Sequence, residues 1–351
     1  MIMQLVTTTG YYSTGSSVIS DLLAEYRSVK CLGDNFECRI AHDMFGLSDL
    51  EYYLVDNNHR HNSSVAINEF KRLMKLYGLD KRIRFENYPE VFGDVFKTAV
   101  DDYLNALAQF TFKGGSHADL YQKSDYELMI LKSKNFFYRQ FNKVHITADD
   151  TSWAKRKRNP FEKSISNETY YISCPTEKQF LDATRCFTRK LFSHFNDSNY
   201  AKLMVEQLVP PSNISRYERY FDDIRVFRVD RDPRDLYYLE KYYWRGGVIP
   251  EDVELFVKWF EATRAHKKYE KPSPNVLELK FEDLVLDYDN SVKQVESFLG
   301  LKNSDHISPL SFFNPDISKK NIGKWKECRE EYDNIAIIEK LIQNKDCFSK
   351  Y

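Results

Sequence analysis

The sequence predicts an α/β fold built on a parallel sheet, with a large helical insertion, and three observations predict it. Short apolar runs at Gln4–Thr8, Lys202–Leu208, Ile224–Val229 and Val276–Phe281 read as strands and alternate with helical periodicities. The first run passes through a glycine-bearing turn, Tyr11 to Gly15, into an amphipathic helix. From about Leu47 to Phe195 the pattern is mostly helical, which is too long for an ordinary crossover connection.

Taken in order, the helix after the first strand covers Ser16 to Tyr26. Val18, Ile19, Leu22, Leu23 and Tyr26 fall on one face, and Ser16 or Ser17 suits the N-cap. Ser28 to Leu32 reads as a second strand. Within the helical stretch, Ala66–Tyr77 and Val91–Phe110 are the clearest helices, and Asp149–Ser173 is a polar, basic interruption. Pro250–Tyr269 reads as a helix carrying Val253, Phe256, Val257 and Phe260. Ser291–Leu299 reads as another, closed by Gly300, because a glycine enters the left-handed conformation that ends helices. One domain over residues 1–351 is expected, divided into 1–45, an insertion at 46–200 and a second half at 201–351.

Composition narrows the function classes. The 351 residues carry 51 Lys plus Arg against 52 Asp plus Glu, so a broadly basic nucleic-acid binder is disfavoured. Apolar residues at 42% allow a sizeable core, which excludes disorder as the main state. Only 12 Gly are present, so each glycine-bearing loop is worth reading closely. No apolar run of membrane-spanning length occurs and the N-terminus lacks the pattern of an export signal, so a cytoplasmic protein is expected. Six cysteines form no C-x-x-C pair, and reduced thiols are expected rather than a metal site.

Three segments carry the chemistry. The first, Gly10-Tyr11-Tyr12-Ser13-Thr14-Gly15-Ser16-Ser17, joins a strand to a helix, where backbone N–H groups and the helix N-terminus can bind an anion. Gly10 and Gly15 have the spacing of a nucleotide-binding phosphate loop, but Ser16 stands where its lysine belongs. An ordinary strand–turn–helix fits this segment equally well. The second, Val229-Asp230-Arg231-Asp232-Pro233-Arg234-Asp235, leaves a strand at Arg231, where a guanidinium can grip a phosphate in a bidentate way. Asp232, Arg234 and Asp235 read alternatively as a turn, an exposed ion pair and a helix cap. The third, Ser318-Lys319-Lys320-Asn321-Ile322-Gly323-Lys324-Trp325-Lys326, combines cations, a glycine and a tryptophan.

Together these segments resemble the sulfotransferase family that uses 3′-phosphoadenosine 5′-phosphosulfate (PAPS). That family's first motif looks like G-x-P-R-S-G-T-T, its second like V-x-R-[DN]-P-[RK]-D, and its terminal element like G-D-W-K. Leu279-Lys280-Phe281-Glu282-Asp283-Leu284 and Phe298-Leu299-Gly300-Leu301 resemble a further passage between them. The resemblance covers the first forty residues and most of 200–330. It implies a three-layer, P-loop NTPase-like sulfotransferase fold, of the bacterial carbohydrate type. It also implies that Ser13, Thr14, Gly15, Ser16 and Ser17 hold the 5′-phosphosulfate, and that Arg231, helped by Lys319 or Lys320, holds the 3′-phosphate. On this reading residues 46–200 form the acceptor side. Two departures stand out. Ser13 replaces the loop's usual basic residue, with Lys132, Lys134 and Lys155–Arg158 as substitutes to consider, and Leu239 stands where a serine usually assists.

The expected reaction moves a sulfuryl group from PAPS, as co-substrate, to an acceptor hydroxyl. No metal is called for, and the acceptor is a carbohydrate or surface-polysaccharide precursor, with a sterol or lipid as the alternative. Partners are a small-molecule or glycan acceptor, with no nucleic acid and no transmembrane segment. Glu37 is the first choice for the general base, by position relative to carboxylate-using relatives, although a surface Glu paired with Arg39 explains it equally well. His42, Asp43 and Glu206 follow. A small-molecule kinase and a non-catalytic nucleotide-binding relative are the competing readings.

Overall fold

The computed structural model describes residues 3–32, 36–59, 62–78, 87–114, 123–142 and 168–349. Its strands are β1 (Gln4–Gly10), β2 (Val29–Cys31), β3 (Phe110–Gly114), β4 (Glu168–Ile172), β5 (Lys202–Met204), β6 (Ile224–Asp230) and β7 (Val276–Lys280). The longer helices are α1 (Ser17–Ala24), α2 (Asn62–Tyr77), α3 (Asp94–Leu107), α4 (Asp125–Asn142), α5 (Glu177–Phe192), α6 (Pro233–Leu239), α7 (Val253–Arg264), α8 (Phe281–Leu286), α9 (Tyr288–Leu299) and α10 (Tyr332–Leu341). The chain forms two compact units, one of residues 1–43, 80–95 and 188–351, the other of 44–79 and 96–187.

The first unit holds a five-stranded sheet in the order β2-β5-β1-β6-β7. Every pairing in it is parallel, so the α/β class read from the sequence holds. The central strand β1 is buried from Leu5 to Thr9. Its three threonines suit that place because β-branched chains pack well on a pleated surface. Their hydroxyls are also satisfied. Thr7 accepts from the Leu208 amide at 3.0 Å, Thr8 donates to the Ser16 carbonyl at 2.9 Å, and Thr9 donates to Gln207 at 3.3 Å. Val6, Phe227, Val229 and Leu279 from the strands pack with Ile19, Leu22 and Leu23 of α1 and with Leu284 and Val295 of α8 and α9. A second cluster joins Leu236 and Tyr237 of α6, Phe256 and Phe260 of α7, and Ile335 and Ile338 of α10.

The predicted boundaries needed adjustment in several places. α1 ends at Ala24, and Ser16 takes the N-cap position without a side-chain cap bond. The expected helix over Val91–Phe110 is broken at Gly93, whose φ of 60° ends the short helix Tyr88–Phe92, and α3 stops at Leu107. Pro250–Tyr269 becomes α7 followed by a 3-10 turn over Ala265–Tyr269. Gly300 closes α9 with φ 64°, as its sequence position predicted.

The second unit is not wholly helical. β3 and β4 form an antiparallel pair in which Phe112 lies opposite Tyr170, with ring centroids 5.1 Å apart. Tyr103 of α3 stacks on Phe187 of α5 at 4.7 Å, and its hydroxyl bonds Thr184 at 2.8 Å. Tyr170 is buried here, whereas Phe136 and Phe137 of α4 are exposed. The basic run Lys155–Arg158 and His61 lie outside the described residues. Among the described residues no helix is long and apolar enough to cross a membrane.

Candidate active site

The sheet order creates a crevice. From β1 the chain moves through α1 to β2 at one edge. From β6 it moves to β7 at the other edge. β1 and β6 are neighbours, so their carboxyl ends flank the point where the winding reverses, which is where open α/β sheets bind ligands. Gly10 and Val229 face each other there. The first segment leaves β1 at this point, and Arg231 leaves β6 beside it.

The loop backbone is strained in a particular way. Tyr12 (φ 62°) and Ser13 (φ 52°) are both left-handed without being glycine, and Gly15 (φ 79°) follows. Each non-glycine residue held there costs roughly 1–2 kcal/mol. Such turns direct successive N–H groups to one side and form an anion-binding concavity. Among the described residues, the N–H groups from Ser13 to Ser17 donate to no backbone carbonyl. The Thr14 hydroxyl is buried with no hydrogen-bond partner, and it lies over Gly10, where a Cβ would meet it at 2.0 Å. Ser13 and Ser17 are exposed. Gly15 is required twice over, by its φ and because a Cβ would come within 2.5 Å of the Phe281 ring.

Phe281 links the first segment to the second. Its ring touches the Gly15 position on one side, and the Arg231 guanidinium carbon lies 4.3 Å from its centroid. Trp244 lies 5.3 Å from the same guanidinium. Arg231 is almost fully buried, and one Nη donates to the Asn321 carbonyl at 2.6 Å while Nε has no partner. Burial lowers its pKa, opposed by the carboxylates of Asp235, Glu282 and Asp232. Glu282 accepts the Asp232 amide at 3.0 Å, and its other oxygen is buried without a partner. Burial pushes this carboxyl up to about 7.

Asp232, Arg234 and Asp235 are more than a surface turn. Asp232 caps α6 by accepting the Arg234 amide at 2.8 Å. The Asp232–Arg234 ion pair (2.6 Å) is mostly buried rather than exposed, because Trp325 and Phe348 cover the guanidinium. Asp235 accepts the amides of Gly323 and Lys324, both at 2.8 Å, and burial raises its pKa. The third segment is therefore pinned to the second, through Asn321 and through Gly323–Lys324. Lys319 and Lys320 sit exposed on the 3-10 turn that covers Arg231. Leu239 is buried in α6 and presents no polar group.

The base candidates lie one strand over. Glu37 forms a parallel bridge with Glu206, two residues beyond the end of β5. Its carboxylate lies 3.5 Å from Arg39, and more than a third of its side chain is exposed. Asp43 lies 3.5 Å from the same guanidinium. Glu206 is more buried, accepts from the Ser20 hydroxyl of α1, and has its pKa raised by burial. The His42 ring bonds the Gln207 carbonyl through Nε2 at 2.8 Å, and burial lowers its pKa. A neutral ring donating there leaves Nδ1 as its only basic atom.

The structure thus gathers Ser13, Thr14, Gly15, Ser16, Ser17 and Arg231 at one crevice, with Lys319 and Lys320 on the turn above Arg231. Glu37 lies level with Glu206, just beyond the end of β5. Glu282 and the ring of Phe281 were not singled out for the site from sequence. Their position directly after β7, at the same carboxyl edge, is the signal that could have found them.

No protein-family model matches the chain, and no curated protein matches it in sequence. Solved structures similar to it include the sulfotransferase domain of the Synechococcus PCC 7002 olefin synthase (12% identity, 97% of this chain and 94% of that one, TM-score 0.40). The sulfotransferase domain from the curacin biosynthetic pathway is similar at 11% identity, 97% of each chain and TM-score 0.38. A sulfotransferase from Alicyclobacillus acidocaldarius is similar at 12% identity, 97% and 96% coverage and TM-score 0.32. At such low values these similarities leave the chemistry of this chain to be read from its own residues.

Proposed function

We propose that the chain is a sulfotransferase that uses PAPS and transfers its sulfuryl group to an acceptor hydroxyl. The observation that carries this reading is the crevice between β1 and β6, with a left-handed loop of unpaired N–H groups on one side and the buried Arg231 on the other. Such a pair of sites suits a ligand with two separated anionic groups. The residues present fit a nucleotide of this kind, since the Thr14 hydroxyl and Arg231 Nε are buried polar atoms without partners. Ser16 in place of a phosphate-loop lysine speaks against a kinase.

When bound, PAPS supplies an activated sulfuryl group. The amides from Ser13 to Ser17 would orient its 5′ side and stabilise charge on its oxygens. Arg231, with Lys319 or Lys320, would hold the 3′-phosphate, and the stack on Phe281 fixes the plane of the Arg231 guanidinium. Glu37 is the proposed base for the acceptor proton. We favour a carbohydrate acceptor in a bacterial, cytoplasmic setting. The exposed rings of Phe136 and Phe137 suit a sugar face and suit a lipid equally.

Labelled PAPS offered to a panel of acceptor alcohols tests the activity. Transfer to a glycan supports the reading in full, and transfer to a sterol alone corrects the acceptor. Glu37→Gln is expected to keep nucleotide affinity while turnover falls by about 100-fold or more. Unchanged turnover would remove Glu37 from the role.

A further inference from the structure

We propose that Arg264 is a positioning residue that holds the strained phosphate loop in its anion-binding form by clamping Tyr11 to the end of β6. The inference rests on the crevice between β1 and β6 being the nucleotide site.

Arg264 ends α7, outside the three segments in sequence but in contact with the first two. Its guanidinium forks onto Asp230, with Nη2 donating to Oδ1 at 2.7 Å and Nε donating to Oδ2 at 3.2 Å. The same Asp230 Oδ1 accepts the Arg231 amide at 2.9 Å. One face of the fork lies on Phe260, with the guanidinium carbon 3.6 Å from the ring centroid. Tyr11 lies 4.5 Å from that carbon. Tyr11 is itself almost fully buried, and its hydroxyl donates to the Pro211 carbonyl at 3.1 Å. Tyr11 immediately precedes the two left-handed residues, and Tyr12 leans toward Trp259 of the same helix at 6.2 Å.

A loop with two left-handed non-glycine residues persists only where its surroundings over-determine it. Behind this loop, α7 supplies Trp259 and Arg264 as the backstop. Arg264 is also a cation beside the loop in which Ser13 replaces a basic residue. Its side chain is nine-tenths buried, engaged by Asp230 and flanked by Tyr11 and Phe260. Committed in this way, it acts on the loop and not on a ligand. Binding is strengthened because the loop need not be ordered when the anion arrives.

The test compares wild type with Arg264→Lys and Arg264→Gln in two measurements. Arg264→Lys keeps a charge for Asp230 but loses the flat stack and the fork. The first measurement is amide hydrogen exchange in the unliganded protein. Faster exchange confined to residues 18 and 19, whose amides donate to the loop carbonyls of Gly15 and Ser16, with 224–230 unchanged, is expected. The second is affinity for adenosine 3′,5′-bisphosphate against adenosine 3′-monophosphate. The variants should lose about tenfold of the preference for the 5′-phosphate while 3′-monophosphate affinity stays close to wild type. Unchanged loop exchange overturns the proposal, as does equal weakening of both ligands with exchange rising throughout the sheet. If wild type binds neither nucleotide, the nucleotide reading fails, and exchange alone then decides whether Arg264 holds the loop.

Discussion

At Gly15 the backbone and the packing make the same demand. A methyl group there meets both a φ of 79° and the Phe281 ring. Gly15→Ala should lower stability by about 1–3 kcal/mol, seen as a reduced midpoint in thermal unfolding. Because Phe281 also carries Arg231, nucleotide affinity should fall more than stability alone would explain. Glu282 gives a pH-dependent prediction. Its folded pKa of about 7 lies above the ordinary carboxylate range, so the folded state keeps a proton that the unfolded state releases. Stability contributed by this group is present at low pH and is lost as pH rises through about 7. Asp235 and Glu206, also raised by burial, act in the same direction. Glu282→Gln should flatten the decline in unfolding free energy between about pH 4.5 and 7, a group effect on the order of 3 kcal/mol at about 1.4 kcal/mol per unit. A decline as steep as in wild type would show that Glu282 does not carry it. Arg231 was legible in the sequence because its strand, its turn and its charge are contiguous. Glu282 was not, because the amide that its carboxylate accepts belongs to Asp232, 50 positions away.

Among the elements, β1, the loop and α1 were legible because the hydrophobic period changes within a few residues, with Gly10 and Gly15 marking the turn. The β3–β4 pair was not. Each strand is five residues long and its partner is remote in sequence, so Phe110 read as the end of a helix. Ser16 takes the N-cap position expected of it but makes no side-chain cap bond. Ser16 has helical φ and ψ already, so its side chain is not turned back over the helix start, and its amide remains free to meet an anion. α7 shows an ordinary cap by contrast, in which Asp252 accepts the Leu255 amide at 2.9 Å. Asp252→Ala should cost about 1 kcal/mol in chemical denaturation. If α7 is the loop's backstop, the same change should also speed exchange at residues 18 and 19, whose amides bond the loop carbonyls.

Over the whole chain, composition and element order were enough for the α/β class, but strand order was not readable. The crevice exists because the connections that leave the neighbouring strands β1 and β6 run to opposite edges, and only the folded sheet shows that. The neutral overall charge likewise concealed a local arrangement. Arg231 is buried and Arg234 partly buried among carboxylates that include Asp232, and the exposed Lys319 and Lys320 lie on the turn whose Asn321 carbonyl accepts from Arg231. This arrangement predicts a preference for a ligand with two separate phosphates over a linear triphosphate. Calorimetric titration with adenosine 3′,5′-bisphosphate and with ATP plus Mg²⁺ measures that preference directly. The bisphosphate should bind at least about tenfold more tightly, and Arg231→Ala in a folded protein should abolish the difference. Tighter binding of ATP, or binding of neither nucleotide, would contradict the sulfotransferase reading.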